Sequence, residues 1–248
     1  MNLAKRTMQV LSNEGAAGLL RKVAKKTKET VTGKYDVHAA YDDDFFAFNL
    51  ADSRPQAEWL APRIAAVFNV KSVYDFGCAT GHWIDAFLRA GVDARGFEGS
   101  PAAKNALVCP ADRVTIGDLR YPLPDFSARA DLTMSIEVAE HIEERFADNY
   151  LDNIVKPRPQ TVLLTAAPPG QGGHHHVNEQ PPAYWIAKMA NRGYALDAKK
   201  ADAITGIIAQ GRQLKDVPTV MKHPTIPHEG VWFPDWISQN LLVFSRST

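Results

Sequence analysis

The sequence predicts one α/β domain with a mostly parallel β-sheet and helices on both faces. Three observations favour this fold class. The chain has 248 residues with 45% hydrophobic and 23% charged composition, which is typical of a globular domain with a substantial core. Strand-like segments alternate with helical patterns, and a glycine-bearing turn follows the first strand. Such alternation implies crossover connections between parallel strands.

The elements follow in order along the chain. A helical stretch from about Arg54 to Phe68 precedes the first strand, and helical patterns separate most of the later strands. A helix from about Tyr184 to Ala190 comes before the last two strands, which we expect to pair at an antiparallel edge. The seven predicted strands are Lys71–Phe76, Ala94–Phe97, Val114–Ile116, Leu132–Ile136, Val162–Leu164, Tyr194–Leu196 and Leu241–Phe244.

The N-terminal segment differs in charge from the rest of the chain. Residues 1–34 contain eight Lys or Arg and two Glu, and apolar residues recur at helical spacing beside these charges. We therefore expect residues 1–50 to be a basic helical extension, in which Tyr41 and Phe45 could serve as a lid or as packing residues. Its helix could contact an anionic membrane, a nucleic acid or a partner protein, or pack as a solvated helix on the main domain at 51–248.

Composition limits the function classes. The chain has 28 Lys and Arg and 28 Asp and Glu, so no overall positive excess is available to hold a polyanion. The two cysteines, Cys78 and Cys109, predict neither a disulfide framework nor a zinc cluster. We find no apolar run long enough to cross a membrane and no secretion signal, and we expect a cytoplasmic protein.

The clearest motif is the segment Val73–Gly81, a strand that leads into a turn with glycines at positions 77 and 81. Open α/β sheets bind ligands at such carboxyl ends of strands, and glycine allows the backbone to approach the ligand closely. The spacing is G-x-x-x-G, whereas dinucleotide-binding turns have G-x-G-x-x-G. A dinucleotide cofactor is therefore disfavoured.

These residues resemble the first motif of class I S-adenosylmethionine-dependent methyltransferases, and the resemblance extends over Ser72–Tyr194. It implies their Rossmann-like fold, with Asp75 and the turn holding the methionine part of the cofactor. Glu98 would accept hydrogen bonds from the ribose hydroxyls, and Asp118 would receive the adenine amino group. Each acid also has an alternative without a cofactor: Asp118 could cap a turn, and Glu98 could be an exposed side chain. The predicted cofactor site comprises Asp75, Phe76, Gly77, Cys78, Ala79, Gly81, Trp83, Glu98, Gly99, Asp118, Leu119, Ile136 and Glu137.

A second group of polar residues follows the fourth predicted strand. Glu137, Glu140 and His141 have spacing i, i+3 and i+4, which would place them on one face of a helix starting near Glu137. The E-x-x-E-H pattern resembles that of metal-dependent O-methyltransferases, among them small-RNA 2′-O-methyltransferases and ubiquinone-pathway O-methyltransferases. That resemblance implies His176, or His174 in its place, as a fourth ligand for Mg²⁺ or Mn²⁺. A site without metal, in which the pair orients a loop or acts as a base, remains an alternative.

The chemistry of methyl transfer suggests what this group does. The sulfonium methyl is already electrophilic, so the acceptor must be aligned with it and lose its proton. A cation would activate a hydroxyl, and a nearby histidine could take the proton. We therefore expect O-methylation, with Glu137, Glu140, His141 and His176 at the acceptor.

The acceptor class is indicated by a further resemblance. The basic N-terminal region and the H-x-H-x-N segment His174–Asn178, followed by Tyr184 and Trp185, resemble methyltransferases of bacterial surface-glycan and specialised-metabolite synthesis, which favours a sugar hydroxyl or a small metabolite. Residues 215–234 could form part of an acceptor pocket, and the aromatic side chains Trp185, Trp232 and Trp236 could form a sugar platform or belong to the core. The alternatives are an RNA 2′-O-methyltransferase, which the zero net charge disfavours, and a non-catalytic cofactor-binding partner subunit.

Overall fold

The computed structural model describes residue 41, residues 43–125 and residues 129–247. Within these ranges, seven strands form one sheet of order β3-β2-β1-β4-β5-β7-β6. Five strands are parallel to their neighbours, and β7 is antiparallel to both β5 and β6. The strands are β1 Ser72–Phe76, β2 Asp93–Glu98, β3 Val114–Ile116, β4 Leu132–Ile136, β5 Thr161–Thr165, β6 Tyr194–Leu196 and β7 Leu241–Arg246.

The helices follow the alternation expected from the sequence. They are α1 Asp43–Val67, α2 His82–Arg89, α3 Ala147–Val155, α4 Pro182–Ala190, α5 Ala198–Arg212 and α6 Trp236–Gln239. The mostly parallel sheet and its antiparallel edge pair are confirmed. The antiparallel strand β7 lies one position inside the edge, because β6 pairs on its outer side.

Two predictions about helices differ from the structure. Helix α1 begins at Asp43, well before the predicted start near Arg54, and it contains Pro55 and Pro62 within its length. The helix predicted to start near Glu137 is wrong: the chain forms only a short 3-10 turn at Ala139–His141.

The core has two halves, one on each face of the sheet. Helices α1, α2 and α5 bury apolar side chains such as Ile64, Phe87 and Ile208 against one face. Helices α3 and α4 cover the other face with side chains that include Tyr150 and Trp185. Trp185 is therefore a core residue and is unavailable as part of a sugar platform.

The strand order fixes where a ligand can bind. Strands β1 and β4 are neighbours in the sheet, but the chain runs outward from β1 to β2 and β3 before it returns to β4. In open α/β sheets the crevice beyond the carboxyl ends of two such strands is the usual ligand site. The acids predicted for the cofactor, at the ends of β1 and β2, and the group Glu137, Glu140 and His141 after β4 all lie at this edge of the sheet.

No helix in the described ranges combines the length and the apolar character needed to cross a membrane. The predicted basic extension falls almost entirely on residues 1–40, which lie outside the described residues. The boundary predicted between residues 50 and 51 lies within α1.

Candidate active site

The turn after β1 is built for close backbone approach. Gly77 and Gly81 have φ angles of +82° and +73°, in the left-handed region that favours glycine. A Cβ atom at Gly81 would overlap the sulfur of Cys109, and one at Gly77 would overlap the Val138 side chain. Ala79 also has a positive φ, of +48°. Strained residues of this kind persist where surrounding contacts fix the backbone, often at functional sites.

Glu98 closes this turn from the end of β2. Its side chain is buried, and its carboxylate accepts backbone hydrogen bonds, at Oε2 from the N–H of Ala79 at 2.9 Å and at Oε1 from the N–H of Ser100 at 2.8 Å, with a further contribution from the N–H of Gly99. Burial raises the pKa of Glu98, and these backbone bonds oppose the rise. A carboxylate has about four acceptor positions, so Glu98 can still accept from a ligand hydroxyl.

Asp75 lies near the end of β1 and is also buried. Among the described residues its Oδ2 atom has no hydrogen-bond partner. Burial, with a smaller contribution from the charge of Glu98, raises the pKa of Asp75 to about 8. A buried carboxylate oxygen of this kind is costly without a donor or a positive charge nearby. The residues around the turn therefore fit the cofactor that the motif implies.

Asp118 has a different environment from the other two acids. Arg120 holds its carboxylate through three hydrogen bonds, from Nε at 2.9 and 3.1 Å and from a terminal guanidinium nitrogen at 2.6 Å. The Arg120 backbone N–H donates to the same carboxylate at 3.0 Å. Asp118 therefore caps a turn, which is the structural alternative that the sequence offered for it.

The other predicted cofactor residues divide into core and turn positions. Trp83 packs near Phe87 with ring centroids 6.4 Å apart, and it is only 4% exposed, so it supports α2 from within the core. Gly99 has open space where a Cβ would lie. Of the remaining predicted side chains, three are buried and Ile136 is partly buried; the buried ones are Phe76, Cys78 and Leu119.

The segment after β4 brings the second group together without the predicted helix. Glu137 has a φ of +51°, and its N–H donates to Thr165 Oγ1 at 2.8 Å on the neighbouring strand β5. A residue in that conformation cannot begin an α-helix. The carbonyl oxygen of Glu140 instead accepts from the N–H groups of Val177 and Asn178, at 2.9 and 3.0 Å. These bonds dock residues 174–178 against the 3-10 turn.

Glu140 is fully buried, and in the described part of the chain neither carboxylate oxygen has a hydrogen bond of normal geometry. Burial, reinforced by the nearby Glu137 carboxylate, raises its pKa well above the ordinary value. Glu137 itself accepts from Gln171 Nε2 and from Asn240 Nδ2, both at 3.1 Å. The two glutamates are close enough for a hydrogen bond between their side chains, and the backbone N–H of Ala167 also acts on Glu140, whereas Glu137 alone accepts from side-chain amides.

Two histidines face Glu140. The Nε2 atom of His176 lies 4.0 Å from Glu140 Oε1, and the rings of His141 and His176 are 5.0 Å apart. The Nδ1 atom of His141 lies 3.2 Å from the carbonyl oxygen of His175, which can only accept, so Nδ1 is protonated and Nε2 has a lone pair. Burial lowers the pKa of His141 to about 4 and keeps it neutral at pH 7.

These residues are the described group best suited to a metal. Ligand atoms of Glu140, His141 and His176 all lie within 4.8 Å of one another. A carboxylate and neutral imidazoles suit a divalent cation, and an unpaired buried carboxylate needs a positive partner. The residues therefore fit a cation. This group includes His176 and excludes both Glu137 and His174.

His174 belongs to an aromatic contact instead. Its ring stacks on Phe45 at 5.9 Å and lies edge-on to Tyr41 at 6.3 Å. Phe46, the next residue of α1, is buried against Ala79 of the cofactor turn. The start of α1 thus contacts the turn after β1 through Phe46 and the histidine segment through Phe45. These contacts accord with a packing role for Tyr41 and Phe45.

Sequence reasoning missed four residues that support the second group. Thr165 and Asn240 have no local sequence signal, since they contact Glu137 from β5 and from the end of α6. Gln171 lies in the loop between β5 and α4, where no motif identified it. The fourth residue, Glu179, had a usable signal, because a carboxylate three residues after a histidine can bond to it.

Comparisons with known proteins agree on the fold. No protein-family model matches the sequence, and no curated protein matches it. Among solved structures, the sugar N-methyltransferase KedS8 from Streptoalloteichus aligns at a TM-score of 0.54 and 16% identity, over 83% of this chain and 92% of that one. An O-methyltransferase family protein from Burkholderia thailandensis gives 0.55 and 13%, over 86% and 61%. Magnesium protoporphyrin IX methyltransferase from Synechocystis, solved with bound SAH, gives 0.50 and 13%, over 91% and 100%.

These neighbours share the seven-stranded, mostly parallel sheet and its antiparallel pair. The chain therefore has the Rossmann-like fold of the class I methyltransferases.

Proposed function

We propose that the protein is an S-adenosylmethionine-dependent methyltransferase that methylates a hydroxyl group of a sugar, a glycan or a small specialised metabolite. One observation carries the proposal. Two buried acids suited to the cofactor lie at the ends of β1 and β2, and a buried glutamate whose oxygens lack a hydrogen bond of normal geometry lies beside two histidines after β4, at the same edge of a methyltransferase-type sheet. The catalytic domain, predicted as residues 51–248, would also include the start of α1 from Asp43, and the residues before it within 1–50 would form an extension capable of peripheral contact.

The cofactor half would work through fixed hydrogen-bond acceptors. Glu98 would accept from the two ribose hydroxyls, while Asp75 and the turn from Gly77 to Gly81 would hold the methionine part. S-adenosylmethionine supplies an electrophilic methyl group that needs no further activation. Asp118 would reach the adenine amino group only if it shares its carboxylate with Arg120.

The acceptor half would position and deprotonate a hydroxyl. Glu140, His141 and His176 would hold a divalent cation, Mg²⁺ or Mn²⁺, beside Glu137. Such a cation lowers the pKa of a hydroxyl that contacts it. The acceptor oxygen then forms a bond to the methyl carbon as the carbon–sulfur bond breaks, and the hydroxyl proton passes to a base in this cluster.

The acceptor class rests on charge and on the structural neighbours. Equal numbers of acidic and basic residues favour a neutral small molecule over a polyanion. A sugar N-methyltransferase and a magnesium protoporphyrin IX methyltransferase share the fold, and both names specify small-molecule acceptors.

The test begins with calorimetry of S-adenosylmethionine binding and continues with methyl transfer to a panel of sugars, phenolic metabolites and RNA, with and without a chelator. Binding at micromolar or tighter affinity and chelator-sensitive methylation of a small hydroxyl compound are expected. Absent cofactor binding would overturn the proposal. Salt-sensitive methylation of RNA would identify a 2′-O-methyltransferase, and binding without transfer to any acceptor would indicate a partner subunit.

A further inference from the structure

We propose that Glu179, together with the glycine-rich segment Gly170–Gly173, is a positioning device that fixes the orientation and the tautomer of His176. This role rests on the proposed function in one respect only, namely that the group His176 binds is a cation. This segment lies in the loop between β5 and α4. The contacts between Gly170–Gly173 and Glu179 indicate what this segment does.

Glu179 joins three donors at one carboxylate. Its Oε1 atom accepts from His176 Nδ1 at 2.8 Å and from the N–H of Gly172 at 2.6 Å. Its Oε2 atom accepts from the N–H of Gly170 at 2.7 Å. The carboxylate thus ties the imidazole to the backbone that precedes it, and rotation of the ring would break a charge-assisted hydrogen bond.

The glycines are needed for this arrangement. Gly170 and Gly172 have φ angles of +89° and +66°, which direct their N–H groups to Glu179. At Gly173 a Cβ atom would lie 2.5 and 2.7 Å from ring carbons of His176 and still closer to Nε2. Any larger residue at position 173 would therefore displace the imidazole. Two glycines orient the donors, and the third leaves space for the ring.

The bond to Glu179 determines which ring nitrogen bears the proton. A carboxylate accepts and does not donate, so Nδ1 of His176 is protonated, and a neutral His176 then has its lone pair on Nε2. That lone pair is on the atom 4.0 Å from Glu140 Oε1. His141 reaches the same state through the carbonyl of His175. Both imidazoles therefore offer Nε2 to whatever positive group neutralises Glu140.

A carboxylate that only secured the loop would leave the tautomer unaffected. Nitrogen-15 NMR of labelled histidine distinguishes these roles without cofactor, cation or acceptor. The chain has eight histidines, so the His176 signals are assigned by their loss in His176→Gln. We expect a protonated Nδ1 and an unprotonated Nε2 in the wild type, and a mixture of both tautomers in Glu179→Ala.

Cation binding gives a second readout. In Glu179→Ala we expect Mn²⁺ affinity to fall about 10- to 100-fold, as is usual when a carboxylate behind a ligating histidine is lost. S-adenosylmethionine affinity should stay within about threefold, because Glu179 touches none of the cofactor residues. Glu229→Gln, at an exposed loop position, is the matched control and should change neither quantity. Gly173→Ala should resemble Glu179→Ala, which provides a second variant if the first fails to fold.

A wild-type His176 protonated at Nε2, or a tautomer unchanged in both variants, would overturn the inference. The proposed function fails in a different way. If wild-type protein binds no Mn²⁺ while His176 keeps the expected tautomer, the metal proposal is wrong and the positioning role of Glu179 stands.

Discussion

Glu98, the last residue of β2, and Glu140, which follows β4, are both buried glutamates, but they differ in their hydrogen-bond donors. Each oxygen of Glu98 accepts a backbone N–H, whereas neither oxygen of Glu140 has a hydrogen bond of normal geometry within the described residues. A carboxylate with backbone donors is stabilised as an anion and can accept further from neutral hydroxyls. One without donors needs a proton or a metal. The two halves of the site are therefore prepared for different kinds of ligand.

Backbone conformation does not explain this difference. Ala79 in the cofactor half and Glu137 in the acceptor half both have positive φ angles, of +48° and +51°. Both turns are strained to a similar degree, which costs about 1–3 kcal/mol at each such residue. The proposed cofactor half and acceptor half differ instead in the hydrogen-bond donors around their buried glutamates.

The largest effect is expected for Glu140→Gln. Because this change removes the buried anionic ligand, Mn²⁺ affinity should fall by about 100-fold or more, beyond the usual loss for a supporting residue. Titration followed by electron paramagnetic resonance measures it. Glu137→Gln is the matched control, and it should have a smaller effect because Gln171 and Asn240 already hold that carboxylate. Equal losses in the two variants would mean that Glu137 is also a ligand.

Glu98→Gln should lower S-adenosylmethionine affinity by about 10- to 100-fold, the value of one hydrogen bond to a charged group. An amide also presents a donor to the N–H of Ala79 or Ser100, where the carboxylate presents only acceptors. Calorimetry measures the change, and Asp112→Asn at an exposed position is the control. Unchanged affinity in Glu98→Gln would remove Glu98 from the cofactor site.

A pH effect of intermediate size is expected from Asp75. Its pKa is about 8 in the folded protein and 3.8 for an ordinary aspartate, so the folded state binds the proton more tightly. The free energy of unfolding should therefore fall as pH rises from about 4 to 8, by at most about 1.4 kcal/mol per pH unit for this group. Denaturant unfolding of the wild type and Asp75→Asn isolates this contribution. Parallel pH profiles for the two proteins would show that Asp75 has an ordinary pKa.

The smallest effect should come from His174→Ala. Because its ring packs on Phe45 and Tyr41, Mn²⁺ affinity should change by less than about threefold, as expected for a residue outside the ligand set. His176→Ala, assayed in parallel, should lose at least about 10-fold. If His174→Ala proves the more damaging, the ligand assignment of the two histidines must be exchanged.

Strand positions and the cofactor turn could be predicted because their signals are local. Strands β4 and β6 have the predicted bounds, and Glu98 ends β2 as expected. The helix prediction at Glu137 failed because Glu137 takes a positive φ of +51°, and only a 3-10 turn at Ala139–His141 follows it. Contacts with Asn240, 103 residues further along the chain, leave no trace in local sequence.

Strand β7 holds an interior place in the sheet although it is the last strand in chain order. Its pairing on both sides, and the bond from Asn240 to Glu137, make the acceptor half dependent on residues 240–246. Asp75, Glu98 and Asp118, the acids proposed for the nucleoside part of the cofactor site, all precede residue 120. They are therefore synthesised well before the residues that complete the proposed acceptor half, and pairing between such distant segments slows folding.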